Sequence, residues 1–171
     1  MAAMMKGEGA DMSTEVFAGT DADWMSVARE AALSSTDRSR QTGAAIVSSS
    51  GERVAVSCNS FPVGIADQEE RHVRPAKYLW TEHAERNAIY AAARQGKSTA
   101  GCTMYLPWFP CADCARGIVQ SGISVLACVE LDWDDPKFAA DFAVAAEMLE
   151  EAGVAVRFLE GVAPVAVPSP R

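Results

Sequence analysis

Residues 81–89, Thr81-Glu82-His83-Ala84-Glu85-Arg86-Asn87-Ala88-Ile89, and residues 109–115, Phe109-Pro110-Cys111-Ala112-Asp113-Cys114-Ala115, decide how this chain is read. His83, Cys111 and Cys114 are three borderline-to-soft metal ligands, one short of a closed tetrahedral zinc shell, so the fourth position is left for water. Glu85 is a carboxylate that no structural zinc knot requires, free to move protons. Each stretch opens a helix, where unsatisfied N–H groups and partial positive charge favour thiolate over thiol. Cys111 and Cys114, spaced i, i+3, turn both sulfurs to one side. His83 and Glu85, spaced i, i+2, stand roughly 200° apart on an ideal helix and converge only at an open first turn.

Working outward, Thr81 reads as a helix cap, with Ala84, Ala88, Ile89, Ala91 and Ala92 continuing the helix to Gly96. Thr103–Leu106 is a short strand, Cys111–Gln120 a helix stopped by Ser121-Gly122, and Val125–Val129 an unbroken apolar strand, as expected in a sheet covered on both faces. Asp135-Pro136 caps and starts a helix whose inner face is Phe138, Phe142, Ala145 and Leu149, and Val154–Leu159 is the last strand. Upstream, Trp24, Val27, Ala28, Ala31 and Ala32 recur at helical spacing, and Ala44–Val47 and Val54–Val56 flank Ser49-Ser50-Gly51 as a hairpin. A polar loop runs from Asn59 to Tyr78. The order implies an α/β fold: a three-layer α/β/α sandwich around a mixed five-stranded sheet, its last two strands parallel because a single helix joins them. The expected division is a loose tail over 1–20, one domain over 21–160, and a second tail over 161–171.

The chain of 171 residues is long enough for one domain with a real core, and its 49% hydrophobic and 22% charged residues suit a globular protein. No run approaches the roughly 20 apolar residues of a membrane helix, and the N-terminus does not read as a secretion signal. A cytoplasmic setting is the expectation. There the odd number of cysteines, five, argues against a disulfide framework, and Cys58, Cys102 and Cys128 read as small buried hydrophobes. A net charge of −8 repels a phosphate backbone and makes long nucleic acid an unsuitable partner, while leaving room for a small nucleotide in a local basic pocket.

A lone Cys-x-x-Cys also suits a redox pair or half a zinc ribbon. Here no second pair stands at ribbon spacing, and Cys111 follows Trp108-Phe109-Pro110 rather than a thioredoxin-like strand. His-x-Glu followed by Pro-Cys-x-x-Cys is the pattern of zinc-dependent nucleobase deamination. The metal brings the pKa of its water toward ~7. Glu85 takes the water proton, gives it to a ring nitrogen, and assists the departure of ammonia. His72 sits in a charged loop and reads as a surface residue rather than a further ligand.

From Gln41 to about Val129 the chain resembles the cytidine deaminase superfamily, most closely its deoxycytidylate deaminase branch. The resemblance rests on Gln41–Val47, Asn59-Ser60-Phe61-Pro62, Lys77-Tyr78, His83–Ile89, Phe109–Ala115 and Ile118–Ile123. It implies a zinc site of His83, Cys111 and Cys114 with Glu85 as proton shuttle, a sugar or ring contact from Asn59, a pyrimidine held by backbone near Ala84, and a homo-oligomer. Trp108 either stacks on a substrate ring or packs against the core; Phe109 and Trp133 complete the candidate substrate contacts. The substrate expected first is a cytosine nucleotide (dCMP to dUMP), with Arg71, Arg74 and Lys77 either a phosphate site or a solvated charged loop. The acidic run Asp132–Asp135, where the family tends to place Lys-Tyr, favours the alternative of a free base, nucleoside or other amino-heterocycle of cytosine, purine or triazine type. A nucleic-acid-editing deaminase and a non-catalytic zinc module rank below these. Arg86 is bulkier than the apolar residue expected after the glutamate.

Overall fold

In the computed structural model, which describes residues 19–130, 133 and 138–160, eleven short elements follow one another. They are α1 (Asp21–Ala32), β1 (Gly43–Val47), β2 (Arg53–Cys58), a 3₁₀ turn (Glu69–Arg71), α2 (Lys77–Trp80), α3 (Ala84–Arg94), β3 (Thr103–Leu106), α4 (Ala112–Gln120), β4 (Val125–Cys128), α5 (Ala139–Glu151) and β5 (Ala155–Phe158). Both expected tails, apart from Gly19 and Thr20, and the segment containing Asp132, Asp134, Asp135 and Pro136 lie outside the described residues.

The five strands form one mixed sheet in the order β2-β1-β3-β4-β5. β1 pairs antiparallel with β2 and β3, whereas β3–β4 and β4–β5 are parallel, joined through α4 and α5. Side chains alternate across the sheet with the period of two that a pleated strand imposes. Ala44, Ile46, Met104, Leu106, Leu126 and Cys128 face one core cluster with α3, α4 and α5. Ala45, Val47, Tyr105 and Ala127 face the other, against Trp24 and Ala28 of α1. Helices therefore cover both faces, which is why the central strands read as continuous apolar runs. No helix among the described residues is long and apolar enough to cross a membrane.

The helix–sheet spacing is set by small residues. α3 buries Ala84, Ala88 and Ala92. Opposite, a side chain on Gly43 would stand 2.0 Å from the carbonyl oxygen of Ala28, so only glycine lets α1 lie this close to β1. Cys102 and Cys128 are buried, Cys58 is half-buried, and all five cysteines are unpaired.

Two local expectations are corrected. α3 starts at Ala84 rather than at Thr81: Thr81 closes α2, the four-residue helix within the expected loop, and Glu82 pairs with Ser60 in an isolated antiparallel bridge (Glu82 N–H to Ser60 O, 2.8 Å). A bridging residue is extended, so the helix cannot begin until the chain has left that bridge. His72, expected on the surface, has its ring tucked against Phe61 at 4.8 Å between centroids and paired with Asp67.

Candidate active site

His83 and Cys111 occupy equivalent places. Each is the N-cap of its helix with extended backbone, φ −74° and ψ 153° for His83, φ −71° and ψ 167° for Cys111, and neither side chain caps its own helix. An N-cap residue lies outside the helical winding. The roughly 200° separation of an i, i+2 helical pair therefore does not apply to His83 and Glu85, and both reach one space. Cys114, one turn into α4, is fully buried. The Ala112 N–H, the first of α4, donates to Asp141 of α5 at 3.3 Å.

The His83 Nδ1 stands 3.5 Å from the Cys111 Sγ and 3.4 Å from the Cys114 Sγ, and the three donors lie within 4.8 Å of one another. A tetrahedral zinc ion with bonds of ~2.3 Å to sulfur and ~2.05 Å to nitrogen sets S and N about 3.6 Å apart. The donor set and its spacing fit that ion. No other group of three or more potential ligands comes together among the described residues. The hydrogen bond from Cys114 is the largest influence on Cys111, lowering its thiol to about 4 against the opposing effect of burial; the His83 imidazole adds to the lowering. Cys114, which gives up that hydrogen bond and is desolvated, is pushed up. His83 is raised, chiefly by its bond with Cys111. Glu85 is buried, and burial holds its carboxyl above the usual range, with the charge of His83 in partial opposition.

A cavity of about 490 Å³ opens on this group, with His83, Glu85 and Cys111 on its wall. Asn59, Trp108 and Phe109 line it as well, whereas Ala84 is buried beneath and is not part of the lining. Asn59 is largely committed to the protein: its Oδ1 accepts from the Ser35 hydroxyl (2.7 Å) and the Thr42 N–H (2.9 Å), and its Nδ2 donates to the Arg40 carbonyl (2.8 Å). One amide hydrogen is left for a ligand. The Trp108 ring carries the Arg40 guanidinium 4.4 Å from its centroid, with the Phe138 ring 5.1 Å away on the same cation. Trp133 is not part of this cavity. It stands edge-on to Phe109 at 5.5 Å and lines a separate depression beside Val156 and Phe158.

The three expected phosphate candidates separate. Arg74 lines the cavity. Arg71 does not: it lies 4.0 Å over Trp80 and donates to the Ala66 carbonyl at 2.8 Å. Lys77 lines it already paired, its Nζ bonded to both Asp37 carboxylate oxygens (2.9 and 2.8 Å) and to the Ser39 hydroxyl. Burial would raise Asp37, but the bonds from Lys77 and from the Ser39 and Arg40 N–H groups outweigh it and hold the carboxyl below its ordinary value. Such a carboxylate stabilises the fold above its unfolded pKa of about 3.9 and loses that contribution as pH falls through the lower folded value. Asp37→Asn is thus expected to cost about 3 kcal/mol at neutral pH, the lower end for breaking a buried pair. The gap in urea midpoint from the parent should close below pH ~3.9. A gap independent of pH would mean that the loss is one of packing. Arg40 and Asp37, which complete this wall, carry no periodic or motif signal; only the three-dimensional contact reveals them.

A family model for the cytidine and deoxycytidylate deaminase zinc-binding region matches residues 18–130. The chain is 37% identical over 126 residues, 73% of its own length and 83% of the relative's, to a protein of Aliivibrio fischeri described as an uncharacterized deaminase in the luxG 3′ region. It is 36% identical over 141 residues to the deoxycytidylate deaminase of Homo sapiens, covering 78% of this chain and 76% of that one. Among solved structures, the dCMP deaminase of cyanophage S-TIM5 in complex with dCMP and dUMP shares the fold, with a TM-score of 0.65 at 23% identity over 81% of this chain and 95% of that one. With the metal-binding geometry and the matched region in agreement, this chain belongs to the cytidine and deoxycytidylate deaminase family and is a zinc-dependent deaminase.

Proposed function

We propose that this deaminase converts dCMP to dUMP, in the cytoplasm and as a homo-oligomer. The observation that carries the substrate is the pair of arginines, Arg40 and Arg74, on the wall of the cavity that also holds His83, Glu85 and Cys111. A guanidinium matches phosphate through paired N–H donors, and Lys77 adds little net charge because Asp37 faces it. Curated relatives described as deoxycytidylate deaminases support the same reading.

In this reading His83, Cys111 and Cys114 hold the zinc ion, whose Lewis acidity makes water nucleophilic near neutral pH. Glu85 accepts a proton from the attacking water as its oxygen bonds to C4 of the cytosine ring, and delivers that proton to N3. The second proton of the water goes to the C4 amine, again through the Glu85 carboxyl; the C4–N4 bond breaks, N3 keeps its proton, and ammonia leaves. One water is consumed, dUMP and ammonia result, and no redox partner is needed. Burial of Glu85 keeps bulk water from competing for the transferred proton. Asn59 offers its remaining amide hydrogen to the sugar, and Trp108 supports the phosphate-binding Arg40 rather than the base.

The test is ammonia release from dCMP, deoxycytidine and cytosine by the zinc-loaded protein and its Arg40→Met variant. The parent should prefer dCMP, and the variant should raise KM for dCMP about 10–100-fold, the loss of a hydrogen bond to a charged group, without altering deoxycytidine turnover. Turnover of cytosine with dCMP inert would overturn the substrate assignment while leaving the chemistry intact. Sedimentation of the purified protein as a monomer would remove the homo-oligomer.

A further inference from the structure

Arg86 connects the two helix starts from which the metal ligands project. Its Nε donates to the Glu82 Oε1 at 2.6 Å, and the same Glu82 oxygen accepts the backbone N–H of His83 at 2.9 Å. Its other end faces Asp113, the residue between the two cysteine ligands, with Nη1 3.5 Å from Oδ2. Asp113 is held in turn by Arg116, one turn further along α4. A polar chain thus runs from the backbone of His83 through Glu82, Arg86 and Asp113 to the first turn of α4. The stem of Arg86 passes over α4 at Gly117, where a side chain's first carbon would stand in ordinary contact, 3.4 Å from the Arg86 Cγ. Arg86 is only 22% exposed, so its fork works partly shielded from solvent.

We propose that Arg86 is a positioning residue for the metal centre: a clamp whose forked guanidinium, gripping Glu82 and Asp113, fixes the separation of the His83 and Cys111–Cys114 segments. This rests on the reading of His83, Cys111 and Cys114 as zinc ligands. The triad spans two chain segments that share no hydrogen-bonded ladder, and nothing in the ligands themselves sets the distance between α3 and α4. A guanidinium can bridge two carboxylates on opposite sides because its donors point apart in one plane; an ammonium on a flexible stem is a single point of charge. Partners that orient metal ligands from outside the coordination shell typically change metal affinity 10–100-fold when removed.

The experiment measures zinc release into a chromogenic chelator from Arg86→Met, Arg86→Lys, Asp113→Asn and the double variant Arg86→Met/Asp113→Asn, with zinc content and melting temperature taken alongside. Arg86→Met should release zinc about 10–100-fold faster than the parent. Arg86→Lys should recover only part of that loss, and the double variant should be no worse than Arg86→Met, because both changes cut the same chain. Asp113 is more than half exposed, so Asp113→Asn leaves the core intact and carries the test even where Arg86→Met fails to fold. Release rates within twofold of the parent in the variants that fold would overturn the clamp, as would full recovery by lysine, which would reduce the role to charge. A parent that bound no zinc would overturn the ligand assignment as well, whereas a zinc-loaded parent that released metal as fast as its variants would overturn the clamp alone.

Discussion

Replacing Glu85 by Gln is expected to lower ammonia release about 10⁴-fold, equivalent to roughly 5.5 kcal/mol of barrier, while the zinc content stays that of the parent. The size follows from its double duty. Proton transfer by one positioned group contributes about 10²–10⁴-fold, and Glu85 is proposed to move protons both to N3 and to the departing amine, which places the loss at the upper end. Glutamine fills the same buried space and leaves no charge there, so the melting temperature should not fall. Rate, zinc content and thermal melt together separate chemistry from folding. A variant that kept a tenth or more of the parent rate with full zinc would show that another group moves the protons.

Replacing Cys114 by Ala is expected to abolish both stoichiometric zinc and measurable turnover, and to lower the melting temperature in zinc-containing buffer. A ligand held at a thousand times its Kd stabilises the folded state by about 4 kcal/mol, which for a chain of this length is about 8–16 °C. The buried sulfur atom itself accounts for about 1 kcal/mol of packing. Stripping the parent with a chelator supplies the control: the stripped parent should melt within a few degrees of the variant, and the chelator should leave the variant unchanged. If the chelator left the parent unmoved, the triad would not be holding a metal in the folded protein. The two helix starts give this prediction its structural basis, since His83 and Cys111 occupy capping positions without capping. A capping hydrogen bond is worth about 1 kcal/mol, and in the proposed site metal binding would stand in its place.

The fold was legible because its signals are local and periodic. Alanines at helical spacing in α3, apolar runs at Met104–Leu106 and Leu126–Cys128, and turn residues between them each report on their own segment. The faces were not legible, because runs apolar at every position carry no alternation; the structure sends Ala44 and Ile46 to one side and Ala45 and Val47 to the other. The candidate metal group was legible for a different reason: few chemistries need His-x-Glu and Pro-Cys-x-x-Cys together, and the structure brings His83, Cys111 and Cys114 within reach of one ion. What stayed hidden depends on segments distant in sequence. Lys77 reads as an available cation until Asp37 is found against it. Trp108 reads equally as a stacking surface or a core residue until Arg40 is found on its face. Trp133 reads as a pocket residue because it follows β4, yet Phe109 stands between it and the cavity. The onset of α3 was misplaced for a related reason: the bridge between Glu82 and Ser60 joins two stretches whose local patterns say nothing of each other.

The alanine face of α3 has a consequence for how this enzyme can change. Ala84, Ala88 and Ala92 have no rotamers to lose on burial and none to offer as relief when a neighbour grows. The contact behaves as a hard stop rather than a cushion, and the height of His83 and Glu85 above the sheet is gauged by methyl groups. A larger residue at Ala88 would lift the whole helix and carry His83 and Glu85 with it. In the proposed reading, new substrate preferences would have to be written elsewhere, in the loops that bear Arg40 and Arg74, where a side chain can be exchanged without moving the Glu85 carboxylate and the His83 imidazole.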